Sequence, residues 1–193
     1  MGQDKTALRA AVRKARKALA QTADHAPFCK AINRALIEEL GKRTGGAVAT
    51  YMAMGSEVTL DDFHSFLLET SQWIAALPTI TDRANGEMEF KAWQHPENLH
   101  VGQAGISEPP VDAPTVLPDI VVTPLLAFDA NGGRLGQGGG FYDRALASLR
   151  QRKQITVIGA AFASQEVKRV PMEPHDATLD AVVTQHGLRY FAR

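Results

Sequence analysis

Six of the chain's 16 glycines fall between positions 132 and 140, in the run Gly132-Gly133-Arg134-Leu135-Gly136-Gln137-Gly138-Gly139-Gly140, and Phe141-Tyr142-Asp143-Arg144 follow directly. A uniform spread of glycine over 193 residues would place fewer than one there. Glycine is costly to order, so a cluster this dense constrains what the chain around it must do. Placed ahead of a helix, it lets several backbone N–H groups converge on an anion at the helix N-terminus. Arg134 and Arg144 add planar cationic donors suited to phosphate, and Asp143 adds an oxygen ligand for a metal beside it. The common glycine motifs do not match. A Walker A loop ends in Gly-Lys-[Ser/Thr], which is absent, and the dinucleotide fingerprint needs a glycine three residues after Gly138, where Phe141 stands. A flexible loop or hairpin is the plain alternative; an unorthodox phosphate loop accounts for more of the residues.

The segments on either side read as alternating helices and strands. Leu8, Val12, Ala15 and Leu19 recur at helical spacing, which predicts a helix over 4–20. A second helix is expected over 26–41, with Ile32, Leu36, Ile37 and Leu40 on one side. Residues 47–52 read as a strand, and Thr59 with Asp62 resembles a capping box opening a helix that runs to about Glu69. Residues 73–77 read as a strand stopped by Pro78, and apolar and polar residues alternate over 88–93 as in a half-exposed strand. The Pro- and Gly-rich stretch 95–118 predicts a long surface connection, of the length more often functional than idle. A strand at 119–123 closed by Pro124, a helix at 141–152, a buried strand at 155–161 and a short strand at 181–184 complete the reading. Wholly apolar strands alternating with helices predict one α/β domain over 1–193, a sandwich with a mainly parallel sheet and its ligand beyond the carboxyl ends of the strands.

A second anion-seeking surface lies on the first helix. Lys5, Arg9, Arg13 and Arg16 form one stripe beside the apolar stripe, and the first 20 residues hold six basic residues against one acidic. Spacing alone favours a solvated basic face, with nucleic-acid binding as the second reading. The chain's total of 21 basic and 21 acidic residues and the few aromatics nearby weaken that second reading. Asp143, after the glycine run, and Asp176, in Pro174-His175-Asp176, suit Mg²⁺, which takes a few carboxylates with phosphate oxygens and water. The six histidines show no metal-ligand spacing, so no transition-metal site is expected. Glu57 lies just past a predicted strand end, where either a ligand-binding acid or an ordinary exposed one can stand.

Composition narrows the class further. An apolar fraction of 45% and a charged fraction of 22% describe a soluble globular chain. The single cysteine, Cys29, excludes an intrachain disulfide and fits a cytoplasmic setting, and no catalytic role is assigned to it. Met1-Gly2 with Thr6 fits the loose acylation pattern without a second membrane signal, and no apolar run is long enough to span a bilayer, so no membrane association is expected.

The motifs together resemble the 5-formyltetrahydrofolate cyclo-ligases, also called methenyltetrahydrofolate synthetases. The resemblance begins with Lys5-x-x-Leu8-Arg9 and continues through Tyr51, Glu57-Val58, Met88-x-Phe90, Gly105-Ile106-x-Glu108-Pro109 and Phe128-Asp129. It then takes in Arg134 to Arg144 and closes with Gln165, Pro171 and His175-Asp176. It implies a three-layer α/β/α sandwich like the sugar-phosphate isomerase and CoA-transferase group. The implied reaction is closure of 5-formyltetrahydrofolate to 5,10-methenyltetrahydrofolate, driven by ATP and Mg²⁺ through phosphorylation of the formyl oxygen. By position, Lys5, Thr6, Ala7, Leu8 and Arg9 with Arg134, Leu135, Gly136, Gln137, Gly138, Gly139, Gly140, Phe141 and Tyr142 would hold ATP. Asp143 and Asp176 would hold Mg²⁺, while Met52, Glu57 and Tyr142 would contact the folate; Arg134, Tyr142 and Arg144 are the implied catalytic set. Small-molecule substrates, no nucleic acid, and a monomer or weak homodimer are expected. Three positions depart from the family pattern: Phe141 stands where tyrosine is frequent, Gly133 adds a glycine to the turn, and Gly139 replaces a lysine found in some relatives. Phosphate charge would then rest more on Arg134, Arg144 and Lys5.

Overall fold

A computed structural model describes residues 4–103 and 105–192; Met1 and Gly2 of the acylation pattern lie outside the described residues. Among the described residues there are four α-helices: α1 (Lys5–Leu19), α2 (His25–Leu40), α3 (Asp61–Glu69) and α4 (Phe141–Arg152). The strands are β1 (Gly46–Ala49), β2 (Trp73–Asp82), β3 (Glu87–Ala92), β4 (His100–Val101), β5 (Ser107–Glu108), β6 (Ile120–Pro124), β7 (Ala127–Phe128), β8 (Arg134–Leu135), β9 (Thr156–Ala160), β10 (Ala181–Thr184) and β11 (Gly187–Tyr190).

Seven strands form one sheet in the order β11-β10-β9-β6-β1-β2-β3. The five inner strands run parallel, and β3 and β11 close the two edges antiparallel. Successive side chains of a strand face opposite ways, so each apolar strand feeds two cores. Val48, Val122 and Ile158 join Ile32, Leu36 and Leu40 of α2 and Phe63 and Leu67 of α3 on one face. Ala49, Val121, Val157 and Val182 join Leu146 and Leu149 of α4 on the other. This is the expected sandwich with a mainly parallel sheet. A smaller cluster seats Leu8 and Val12 of α1 on Ala127, Leu135 and Val170, against the short β7–β8 ladder.

Several local expectations are corrected. Pro78 does not stop β2; it pairs with Phe90 inside a strand of 10 residues. Thr50 N–H donates to the Ala76 carbonyl, so residues 76, 78 and 80 aim their backbone groups toward the β1 side, and β1 ends at Ala49. The missing N–H of Pro78 therefore faces no strand, and no ladder bond is lost. The box at Thr59 does not form either. The first turn of α3 is served by Asn33 of α2, whose Oδ1 accepts from Phe63 N (2.8 Å) while its Nδ2 donates to the Thr59 carbonyl (2.8 Å). The 95–118 connection contains the β4–β5 hairpin, and β11, β7 and β8 are additions to the predicted set.

Candidate active site

The chain leaves β1 for α3 and then β2, and leaves β6 for α4 and then β9, so the sheet grows in opposite directions from the β1–β6 boundary. At such a switch point the two exit loops separate and leave a crevice beyond the strand ends. A cleft of about 890 Å³ lies among these loops, lined by Tyr51, Met52, Met54 and Glu57 after β1 and by Leu125 and 134–144 after β6. Pro78 and Ile80 of β2, Met88 of β3, and Ile106 and Ser107 of the hairpin form an apolar flank. Lys5 and Arg9 of α1 and the turn 173–177 ahead of β10 form a charged flank.

Gly140 takes φ 66°, the left-handed conformation, as the N-cap of α4, and no side chain caps that helix. The first-turn amides of α4 therefore open toward the cleft with the partial positive charge of a helix start. Gly138, at φ 110°, makes the preceding bend.

Each of the four cations in the basic stripe of α1 is hydrogen-bonded to another part of the chain. Lys5 Nζ donates to Asp176 and Glu173 (both 2.6 Å), Arg9 Nε to the Gly136 carbonyl (3.0 Å), and Arg13 to Gln137 Oε1 (2.9 Å). Arg16, 5% exposed, donates to Ser56 Oγ and the Leu125 carbonyl, both at 3.1 Å. Burial pulls the Arg16 guanidinium below its ordinary range, against the opposing charge of Glu57. The stripe is a set of struts fastening α1 to the glycine loop and to both ends of the cleft.

Of the remaining expected residues, Asp143 pairs with Arg134 and its Oδ1 also accepts from Ala177 N (3.1 Å), one residue beyond Asp176. Glu57 is buried; its Oε2 accepts from Met54 N (3.0 Å) and its Oε1 from Gln137 Nε2 (3.2 Å). Tyr142 Oη and Arg134 Nε are buried polar atoms without a hydrogen-bond partner among the described residues, both in cleft-lining residues. Burial, reinforced by the charge of Glu57, pushes the Tyr142 hydroxyl upward, so it stays a donor. Arg144 spans the Gly86 carbonyl (2.9 Å) and the Gly139 carbonyl (2.6 Å), which ties the β2–β3 turn to the glycine loop. Thr6, Ala7 and Leu8 do not line the cleft: Thr6 and Ala7 are exposed and Leu8 is buried under α1. Phe90 backs Tyr142 with ring centroids 6.4 Å apart, and Met88 takes the lining position. Tyr51, Met54, Pro78, Ile80, Ile106 and Ser107 were not foreseen as lining residues. They come from the loop after β1, from β2 and from the hairpin, so their convergence is visible only once the strand order is known.

A hard divalent cation fits this donor set. Asp143 Oδ2 and Asp176 Oδ1 make no hydrogen bond among the described residues, while the other oxygen of each is already held by a cation. Glu173, His175 and Asp176 also bring ligand atoms within 4.8 Å of one another, a grouping that does not include Asp143. Among the described residues, no helix is long and apolar enough to cross a membrane.

Comparison with known proteins follows the same direction. The model of the family described as 5-formyltetrahydrofolate cyclo-ligase matches residues 1–185. A 5-formyltetrahydrofolate cyclo-ligase of Escherichia coli is 35% identical over 162 residues, 76% of this chain and 88% of its own. That of Haemophilus influenzae is 30% identical over 92% of this chain and 95% of its own. Among solved structures, the 5,10-methenyltetrahydrofolate synthetase of Aquifex aeolicus superposes with a TM-score of 0.80 at 28% identity, covering 98% of this chain and 93% of that one. The Mycoplasma pneumoniae synthetase gives a TM-score of 0.76 at 26% identity, over 95% and 99%.

Proposed function

The chain belongs to the 5-formyltetrahydrofolate cyclo-ligase family, and we propose from that membership how its cleft carries out the family's reaction, the ATP-dependent closure of 5-formyltetrahydrofolate to 5,10-methenyltetrahydrofolate with release of ADP and phosphate. The observation that carries the reading is the division of one cleft into an apolar flank on β2, β3 and the hairpin and a charged flank on α1, the glycine loop and the 173–177 turn. A pterin needs a slot of the first kind with a few polar groups, and a triphosphate needs the second.

A formamide carbon is a poor electrophile and its oxygen a poor leaving group. Attack of the formyl oxygen on the γ-phosphorus breaks the bond to ADP and turns that oxygen into a phosphate ester. Nitrogen-10 then adds to the activated carbon and gives up its proton, and the carbon–oxygen bond breaks as phosphate departs. Phosphoryl transfer of this kind asks for positioning and charge neutralisation, with no covalent protein nucleophile. The first-turn amides of α4 and residues 136–140 cradle the phosphates, with Lys5 and Arg9 beside them. Arg134, whose Nε has no hydrogen-bond partner among the described residues, faces the transferring group, and Arg144 fixes the loop through Gly139. Met52 and Glu57 hold the folate, with Tyr142 donating its unpartnered hydroxyl. Asp143 and Asp176 would hold Mg²⁺, which bound there supplies positive charge to the phosphate oxygens. The reading includes a cytoplasmic protein acting as a monomer or weak homodimer.

The test mixes the protein with ATP, Mg²⁺ and 5-formyltetrahydrofolate and follows the near-ultraviolet absorbance of the methenyl product. Absorbance should rise with ATP and stop when a chelator is added. A flat trace, with substrate that a known cyclo-ligase converts, defeats the assignment.

A further inference from the structure

Arg16 lies outside the cleft, on the side of α1 that faces the protein, and is one of the most deeply buried cations in the molecule. Its guanidinium meets the two exit loops at the switch point together. One arm bonds Ser56 Oγ in the loop after β1, and another bonds the Leu125 carbonyl where the chain leaves β6. The same arm stands 3.6 Å from Glu57 Oε1, and both side chains are more than nine-tenths buried. A carboxylate this far from water needs a fixed cationic neighbour to stay charged and still. The remaining contacts of Glu57 are a backbone amide three residues earlier and the flexible amide of Gln137, so no other described residue makes an ion pair with it.

We propose that Arg16 is a positioning residue for substrate binding: by pairing with Glu57 and bridging Ser56 to the Leu125 carbonyl, it fixes the acid that receives the folate. The inference rests on the reading of Glu57 as a folate contact. Arginine suits the place because its planar fork reaches both loops and the carboxylate from one side chain, which an ammonium point charge cannot do. The geometry assigns α1 two duties along its length: Lys5 and Arg9 serve the phosphate end, and Arg16 serves the folate end. A strut that acts through Glu57 must change folate affinity selectively, whereas a merely structural residue would lower turnover and both affinities together.

Four variants, Arg16→Met, Arg16→Lys, Glu57→Gln and the double Arg16→Met/Glu57→Gln, are compared with wild type. The readouts are KM for each substrate, kcat, and the thermal shift produced by 5-formyltetrahydrofolate alone. Arg16→Met should raise the folate KM about tenfold or more, the scale of losing one partner of a buried charge pair, with the ATP KM within about twofold. Arg16→Lys should recover part of that loss. The double variant should bind folate no more than about twofold worse than Glu57→Gln alone, since both changes remove one interaction. If Arg16→Met does not fold, the Arg16→Lys ratios decide, with a selective rise in folate KM of about threefold or more expected. Equal rises in both KM values, or additive losses in the double variant, overturn the inference. Wild-type protein without cyclisation activity overturns the reading beneath it instead, and the thermal shift with folate alone separates the two failures.

Discussion

Tyr142 carries a hydroxyl that the fold buries without a hydrogen-bond partner among the described residues, a debt of desolvation that a native structure keeps where a ligand repays it. Replacement by phenylalanine removes the stranded group and keeps the ring against Phe90. Tyr142→Phe should therefore leave stability unchanged or raise it by up to about 1 kcal/mol in urea unfolding, while kcat/KM for the folate falls about tenfold. Lower stability together with unaltered kinetics would show that the hydroxyl serves folding. His64 shows a different case, a buried ring with a hydrogen-bond partner. Its Nε2 meets Thr50 Oγ1 at 3.0 Å, its ring packs edge-on to Trp93, and burial lowers its pKa to about 4. The unfolded chain takes up the proton near pH 6.5 and the folded one only near 4, so the contribution is present above 6.5 and is lost as pH falls through that window. The loss should approach about 3 kcal/mol at the acid end. Urea unfolding from pH 7.5 to 4.5 should show a shallower pH slope for His64→Gln than for wild type; equal slopes would remove His64 from the account.

At the scale of elements, α4 matches its sequence reading to the residue, whereas α1 was half legible. The periodicity that placed α1 also disclosed its cationic stripe, but not where the stripe points. That direction depends on Gly136, Gln137, Leu125 and Asp176, more than a hundred residues away along the chain. Two-residue strands such as β7 and β8 carry no period at all, and Pro78 looked like a stop because nothing local reveals that β1 ends before it. The parallel strands and glycine loop were legible because apolar runs and glycine density are local; the apolar flank was not, because it is assembled from β2, β3 and a hairpin. The glycine loop itself carries a sharp expectation. An added Cβ at Gly140 would keep φ at 66° and stand 2.8 Å from Arg144 Nη1. Gly140→Ala should cost about 1–2 kcal/mol of stability and raise the ATP KM more than the folate KM, because the start of α4 and the Arg144–Gly139 tie move together. Equal effects on both substrates would detach the loop from the nucleotide.

For the molecule as a whole, the cleft is built where the sheet reverses direction, so its two flanks belong to different layers and different stretches of chain. The helix that joins them, α1, rests on a small apolar cluster, with Leu8, Val12 and Arg16 as its buried residues, and depends otherwise on its four polar struts. An element held this way opens at a lower free energy than the strands of the central sheet. A ligand that binds only the closed arrangement stabilises it by mass action, by about 2.7 kcal/mol at a hundredfold excess over Kd. Hydrogen exchange should consequently slow on addition of ATP and Mg²⁺ in the first two turns of α1 and across 134–144. With 5-formyltetrahydrofolate alone, protection should instead gather over 51–58 and the β4–β5 hairpin. Lys5→Ala, which cuts the α1 tie to Asp176 and Glu173, should erase much of the ATP-dependent protection and raise the ATP KM about tenfold, with the folate pattern intact. Nucleotide protection that spares α1 and the glycine loop would place the triphosphate elsewhere. Protection of both regions by folate alone would mean that the cleft closes as one piece, with no division of labour along α1.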